Sequence, residues 1–167
     1  MRFKVEQRFQ APVDDVEAAF LDPDLLARLD GLPSLGRPEL LDQSELGDTV
    51  RQRVRYRFTG RLSPAVTAVV DPARLTWVQE SVLDRRTHRA DIEIVPDHYP
   101  DRLRCSGTIS LRDLNGGGCL RVTAGELVVR FPVVGARVEW AIVSGLQQHA
   151  AAEVAIVEPW LAERDPR

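Results

Sequence analysis

Hydrophobic and polar residues alternate along most of the first 130 positions of this chain, and the alternation predicts β-strands. Residues 2–10 alternate strictly between an apolar face and a charged face, which is typical of a strand with one buried side. Residues 48–58 repeat this pattern with four arginines on the polar face. Further strand-like segments occupy residues 39–45, 65–70, 75–83, 88–95, 103–111 and 120–130. Short strands separated by turn residues predict an antiparallel meander.

Two short helices are predicted between the first strand and the others. Residues 13–20 carry apolar side chains at helical spacing after an Ala-Pro break. The Asp-Pro-Asp at residues 22–24 ends this helix and caps a second one at residues 25–29, because aspartate accepts hydrogen bonds from free N–H groups and proline suits a first helical turn.

One long helix is predicted from the Pro-Val-Val-Gly at residues 132–135 to about Glu163. At ~100° per residue, most of its apolar residues fall in one broad sector. His149 lies near the middle of that sector, Glu153 lies beside it, and Trp140 points the other way. The order of elements predicts an α+β fold in a single domain, residues 1–167, because only the long helix is large enough to cover the apolar face of the sheet.

This order resembles the helix-grip fold of the START-like (SRPBCC, pollen-allergen-like) superfamily. The resemblance is carried by the opening strand and proline-led helix (APVDDVEAAFLDPD, residues 11–24), by DPARLTWVQES (residues 71–81) and by the closing segment at residues 131–161. The whole chain is also similar to a bacterial family of this superfamily known mainly as a domain of unknown function. The resemblance implies a curved sheet of about seven strands that grips a hydrophobic ligand against the long C-terminal helix. Members include lipid carriers, receptors and aromatase/cyclases, among which a fold alone does not choose.

Charge and composition narrow the classes of partner and compartment. The net charge of −3 gives no general attraction to nucleic acid. The chain starts without a signal-peptide pattern and has no apolar stretch long enough to span a membrane, so we expect a cytoplasmic protein. Cys105 and Cys119 flank a glycine turn. Hairpin pairing about that turn would place Cys105 opposite Val128, so no disulfide is expected.

No cofactor and no metal site are expected. The three histidines, His88, His98 and His149, show no short ligand spacing. The sequence has no Cys-x-x-Cys, no glycine-rich phosphate loop and no Gly-x-Ser-x-Gly.

Polar residues interrupt the inner apolar faces of the predicted strands, which describes either a ligand pocket or strand ends that water reaches. At residues 75–83 it is ambiguous which face of the strand points inward, because a second set of alternating residues could form the inner face. The direction of Glu126 is ambiguous in the same way. Gly145 would either open space for a ligand or let the helix approach the sheet. The ligand-binding positions that we expect are Gln52, Tyr56, Trp77, Gln79, Ile142, Gly145, Leu146 and His149.

His149 and Glu153 are the candidate catalytic pair. Their i, i+4 spacing places them on one face of the helix, where the carboxylate could orient the imidazole for proton transfer. The alternative is a buried histidine that its own glutamate satisfies, or a glutamate that reaches an arginine of the sheet.

Three functions follow from these features. The leading hypothesis is a non-enzymatic protein that binds or carries a small hydrophobic or lipid-like molecule. The second is an aromatase/cyclase-like or dehydratase-like enzyme that uses His149 and Glu153. The third is an interaction module, including a homodimer, that uses Trp140 and the outer arginine face: Arg51, Arg53, Arg55, Arg57 and Arg61. Nucleic acid is not expected on that face, because stacking aromatic side chains are missing there; ion pairs with neighbouring strands explain it better. Trp140 could instead pack under the loop at residues 31–38.

Overall fold

A computed structural model describes residues 1–164 of the chain. Seven strands form one antiparallel sheet in the order β1-β7-β6-β5-β4-β3-β2. The first and last strands are therefore neighbours, and the other five follow one another across the sheet. The strands are β1 Arg2–Phe9, β2 Glu39–Leu46, β3 Thr49–Arg57, β4 Thr76–Asp84, β5 Arg89–Pro96, β6 Leu103–Asp113 and β7 Cys119–Val129.

Among the described residues, four α-helices accompany the sheet: α1 Val13–Leu21, α2 Pro23–Arg28, α3 Pro64–Thr67 and α4 Gly135–Arg164. The Asp22 carboxylate accepts a hydrogen bond from the Asp24 N–H at the start of α2, as the Asp-Pro-Asp pattern predicted. At 30 residues, α4 is about 45 Å long and crosses the apolar face of the sheet, closest to β1 and β7. This arrangement is the predicted helix grip.

The core is divided into two main clusters along the strands. One cluster gathers around the N-terminal half of α4 and includes Phe58, Trp77 and Leu127. The other joins α1 and α2 to the C-terminal half of α4 and includes Phe9 and Trp160. The space between the sheet and the middle of α4 lies where these clusters meet.

The strand predicted at residues 65–70 is wrong, because this segment contains the short helix α3. The Ser63 carbonyl accepts hydrogen bonds from the N–H groups of Val66 and Thr67, and Pro64 suits the first helical turn. Val66 and Val70 are both buried. Positions four apart share a face in a helix and in a strand, so this short apolar pattern did not distinguish the two.

The pairing of Cys105 lies within one residue of the approximate position predicted from the glycine turn. Cys105 lies opposite Leu127, and Cys119 lies opposite Asp113 at the far end of the same hairpin. Both cysteines are free thiols.

The two ambiguous facings are resolved by contacts on the outer side of the sheet. Glu80 binds Arg53 there at 3.1 Å, so Trp77 and Gln79 point towards α4. Glu126 is exposed, while its neighbour Leu127 is buried in the core.

Nearby carboxylates partly neutralise the positive charge of the outer arginine face. Arg53 also binds Asp42 at 2.9 Å, and Arg55 binds Asp97 at 3.3 Å. These cross-strand pairs confirm the interpretation of this face as a solvated, ion-paired surface at both arginines. Within residues 1–164, no helix has the length and apolar character needed to span a membrane.

Candidate functional site

A cavity of about 130 Å³, here called the main cavity, lies between the sheet and α4. A single water molecule needs only ~10–15 Å³ measured in this way, so the main cavity has room for a small organic molecule. Its apolar wall is formed by Phe3, Val5, Leu35, Trp77, Ile92, Ile94, Leu103, Ile109, Leu127, Ile142 and Leu146.

Six of the eight expected ligand-binding positions line this cavity. Tyr56, Trp77 and Gln79 contribute from the sheet, and Ile142, Leu146 and His149 contribute from α4. Tyr56 and Trp77 are directly opposite each other on β3 and β4. Their rings stack with centroids 6.2 Å apart and planes 24° apart, a favourable arrangement for an aromatic pair.

Gln52 lies outside the main cavity. Its side-chain amide donates to Gln43 Oε1 at 2.9 Å and to the Phe20 carbonyl at 3.4 Å. It lines a second cavity of about 80 Å³, here called the small cavity, next to α1 and α2.

Gly145 also lies outside the wall of the main cavity. A Cβ atom at this position would lie 2.8 Å from Ser34 Cβ and 3.0 Å from the Phe58 ring, closer than atoms normally approach. Gly145 thus lets α4 pack closely on these two residues, which is the structural alternative considered for it.

The polar side of the main cavity is a network of side chains from β1, β7 and α4. Gln7 donates to Glu153 Oε2 at 2.7 Å and to the Ala150 carbonyl at 2.9 Å. Arg121 donates to Gln7 Oε1 at 2.6 Å, and its guanidinium lies 3.8 Å from the Glu153 carboxylate. The network joins the closing helix to the two strands beneath it.

Arg121 was not predicted as a site residue, although the alternation of residues along β7 indicated that it points inward. It shares the parity of Leu127 and Val129, two apolar residues of β7 that are buried in the core. Its guanidinium also lies 4.0 Å from the Phe20 ring centroid, and this cation–π contact helps to hold a charge in a mostly apolar site.

Glu153 is ionised in this network. Burial raises the pKa of its carboxyl group, but the nearby His149 ring, the Arg121 charge and the Gln7 amide outweigh burial, so the pKa is below its usual value of 4.5. The candidate site therefore holds a paired positive and negative charge at neutral pH.

This lowered pKa predicts a pH dependence of stability that Glu153→Gln will remove. The unfolded chain binds a proton at Glu153 more readily than the folded chain does. Ionised Glu153 therefore makes its full contribution to stability at pH values above about 4.5. That contribution is lost as the pH falls through the folded-state pKa. The free energy of unfolding, measured in urea from pH 7 to pH 3, should differ most between wild type and Glu153→Gln at neutral pH. A difference that stays constant over this range would contradict the assignment.

His149 and Glu153 are brought together as their spacing predicted. His149 Nε2 lies 3.6 Å from Glu153 Oε1, slightly longer than a hydrogen bond, and both side chains are about nine-tenths buried. The other ring nitrogen, Nδ1, is buried without a hydrogen-bond partner in residues 1–164. The glutamate also reaches Arg121 of the sheet, so the structural alternative for this pair is present in the fold.

A second buried carboxylate, which the sequence reading missed, lies at the small cavity. Glu17 of α1 is buried and its Oε2 lies 2.8 Å from His88 Nδ1. His88 was predicted to begin a strand, but β5 begins at Arg89 and His88 lies in the preceding turn with a φ of 51°. The contact ties α1 to the β4–β5 turn.

The positions of Cys105 and Trp140, two further residues considered in the sequence, are also clear. Cys105 lines the main cavity, and burial raises the pKa of its thiol to about 11, so the thiol stays protonated at neutral pH. Trp140 is 66% exposed on α4, which excludes the alternative that it packs under the loop at residues 31–38.

Comparison with solved structures confirms the predicted fold. TTHA0849 from Thermus thermophilus is 16% identical, with a TM-score of 0.66 over 99% of both chains. The Zhui aromatase/cyclase from Streptomyces sp. R1128 is 16% identical, with a TM-score of 0.65 over 100% of this chain and 96% of that one. Norcoclaurine synthase from Thalictrum flavum, in complex with dopamine and hydroxybenzaldehyde, is also 16% identical, with a TM-score of 0.65 over 100% and 89% of the two chains.

Sequence comparison identifies the family but no characterised relative. No curated protein matches the chain. The model of a family described as a protein of unknown function (DUF2505) matches residues 4–161. Since the match covers nearly the whole chain, the protein belongs to the DUF2505 family, as the resemblance to a bacterial family of unknown function predicted.

Proposed function

We propose that this protein binds, and in this way carries, a small hydrophobic molecule in the main cavity. The observation that carries the proposal is the cavity of about 130 Å³ between the sheet and α4. Its wall is mostly aliphatic and aromatic, with a few polar groups on one side, and this combination is characteristic of sites for small organic ligands.

Apolar burial would supply most of the affinity. Each 100 Å² of apolar ligand surface removed from water contributes roughly 2.5 kcal/mol. Tyr56 and Trp77 contribute aromatic surface to the wall of the main cavity, and Gln79 and His149 lie in the same wall. The Gln79 amide would orient the polar end of the ligand.

Two relatives in fold support this placement. One is an aromatase/cyclase, and another was crystallised with dopamine and hydroxybenzaldehyde. Both names indicate small organic molecules as ligands of this architecture, at identities of only 16%. The chemical class of the ligand of the present protein must therefore be inferred from the side chains of its own cavity.

We propose binding and not catalysis, because the side chains of His149 and Glu153 are engaged by other residues of the fold. Glu153 is engaged by Gln7 and Arg121, and His149 Nδ1 has less than 1 Å² of accessible surface. The ring nitrogen that Glu153 leaves free is thus not presented to the cavity. The enzymatic hypothesis and the interaction hypothesis for Trp140 remain predictions from the sequence.

Native mass spectrometry of the purified protein, followed by organic extraction, tests the proposal. We expect a bound apolar compound that is released on denaturation. A weakly held ligand can be lost during purification, so the same sample is titrated with 2-isopropylnaphthalene by calorimetry. If no compound copurifies and this apolar probe does not bind, the proposal is wrong.

A further inference from the structure

The main cavity and the small cavity meet at a shared group of residues. Tyr56, Gln79, Ile109, Arg121 and Glu153 line both of them. We call the four polar members of this group, Tyr56, Gln79, Arg121 and Glu153, the polar waist. The two cavities thus adjoin each other at these polar side chains.

The polar waist contains opposite charges that cancel. The guanidinium of Arg121 lies 3.8 Å from the carboxylate of Glu153, and the two side chains are only 14% and 10% exposed. Burial raises the pKa of the Tyr56 hydroxyl, which therefore stays neutral at physiological pH. Gln79 carries no charge, so the waist has no net charge.

The same group has more hydrogen-bond donors than acceptors available to a ligand. Arg121 has five N–H donors, and within residues 1–164 only its Nη1 has a protein acceptor, Gln7. Glu153 already accepts from Gln7 and faces Arg121 and His149. A molecule in the cavity would therefore meet spare donors on Arg121.

Spare donors without net positive charge favour a neutral acceptor over an anion. A carboxylate would add an uncompensated negative charge next to Glu153 in a mostly apolar cavity, and burial of such a charge is costly. A carbonyl oxygen accepts the same N–H groups without this cost.

We infer that the ligand is an uncharged, largely apolar molecule with a carbonyl-type acceptor that binds Arg121 at the polar waist. This inference rests on the proposed function and names its ligand class. Fatty acids and other apolar carboxylates are excluded as preferred ligands.

Three naphthalenes of similar shape test the inference by calorimetry at pH 7.5. They are 2-acetylnaphthalene, 2-naphthoate and 2-isopropylnaphthalene, which carry a ketone, a carboxylate and an apolar group. We expect the ketone to bind at least about tenfold more tightly than the carboxylate and more tightly than the apolar compound. Equal or tighter binding of 2-naphthoate would overturn the inference.

Glu153→Gln should change this preference. The substitution leaves Arg121 uncompensated, so the waist gains a net positive charge that a carboxylate can neutralise. The affinity for 2-naphthoate should rise by about tenfold, while that for 2-acetylnaphthalene changes little. Glu163→Gln, at an exposed glutamate of α4, is the matched control and should change neither affinity. An unchanged affinity for 2-naphthoate in folded Glu153→Gln would contradict the charge balance.

Proton uptake by the wild-type protein is a second test that needs no variant. The titratable and charged groups around the waist are Tyr56, Arg121, His149 and Glu153, with Glu17 at the small cavity. Titration in buffers of different ionisation enthalpy should show no proton uptake with the ketone and about one proton with the carboxylate. Tight carboxylate binding without proton uptake would overturn the inference.

The outcomes separate the two proposals. If none of the three naphthalenes binds, the proposed function fails. If all bind with similar affinity, a hydrophobic ligand site exists and only the inference about its chemical class fails.

Discussion

Replacement of Arg121 by methionine should lower the free energy of unfolding by about 3–5 kcal/mol, the usual cost of breaking a buried ion pair on one side. Methionine retains much of the side-chain bulk but leaves the Glu153 carboxylate without its cation, and it removes the donor to Gln7 Oε1. The cation–π contact with Phe20 is lost as well. Chemical denaturation at pH 7.5 measures the change.

Arg104→Met is the matched control for Arg121→Met. Arg104 lies on the neighbouring strand β6 and is exposed, so its replacement should change stability by less than about 0.5 kcal/mol. The double variant Arg121→Met/Glu153→Leu removes both charges and should recover at least half of the loss, because an apolar pair replaces an unpaired charge. A loss below about 1 kcal/mol for Arg121→Met would show that the ion pair does not stabilise the fold.

Leu146→Trp should weaken binding of apolar probes to the main cavity by at least about tenfold. Leu146 is a partly buried residue of α4 that lines the main cavity. The larger indole would occupy space that a ligand needs. Since the indole enters an existing void, the protein should remain folded. Calorimetric titration with 2-isopropylnaphthalene measures the affinity, and thermal unfolding checks the fold.

Gln147→Trp provides the control for Leu146→Trp. Gln147 is the next residue of α4 and is exposed, so the same indole there lies outside the cavity. This variant should bind the probe as the wild type does. Equal binding by a folded Leu146→Trp would mean that the probe binds elsewhere, and the proposed site would then be wrong.

Most elements of the fold could be predicted because their patterns are local. The opening strand, the Asp-Pro-Asp junction between the short helices and the long C-terminal helix each rest on neighbouring residues. α3 was predicted as a strand because the spacing of Val66 and Val70 suits both structures. Its hydrogen bonds to Ser63 could not be read from that spacing.

The candidate site was only partly predictable. The spacing of His149 and Glu153 was sufficient to place them together on one helix, and strand parity indicated Tyr56 and Gln79. The partners of Glu153 were not identified. Gln7 is 146 positions away from it, and Arg121 lies on a strand whose inner face was ambiguous. The sequence left two roles open for Gly145, and only its contacts with Ser34 and Phe58 distinguished close helix packing from a place in the cavity wall.

Local patterning was enough to predict an α+β fold with an apolar inner surface, a long covering helix and a histidine–glutamate turn in that helix, and the resemblance to a known superfamily added the helix grip. Periodicity carries that information because it depends on which residues face the core. The ion pair of Glu153 with Arg121, the extent of the cavity and the meeting of its two parts depend on strand register and on the path of α4 across the sheet. These are long-range properties, since a shift of one residue in register sends every side chain to the other face.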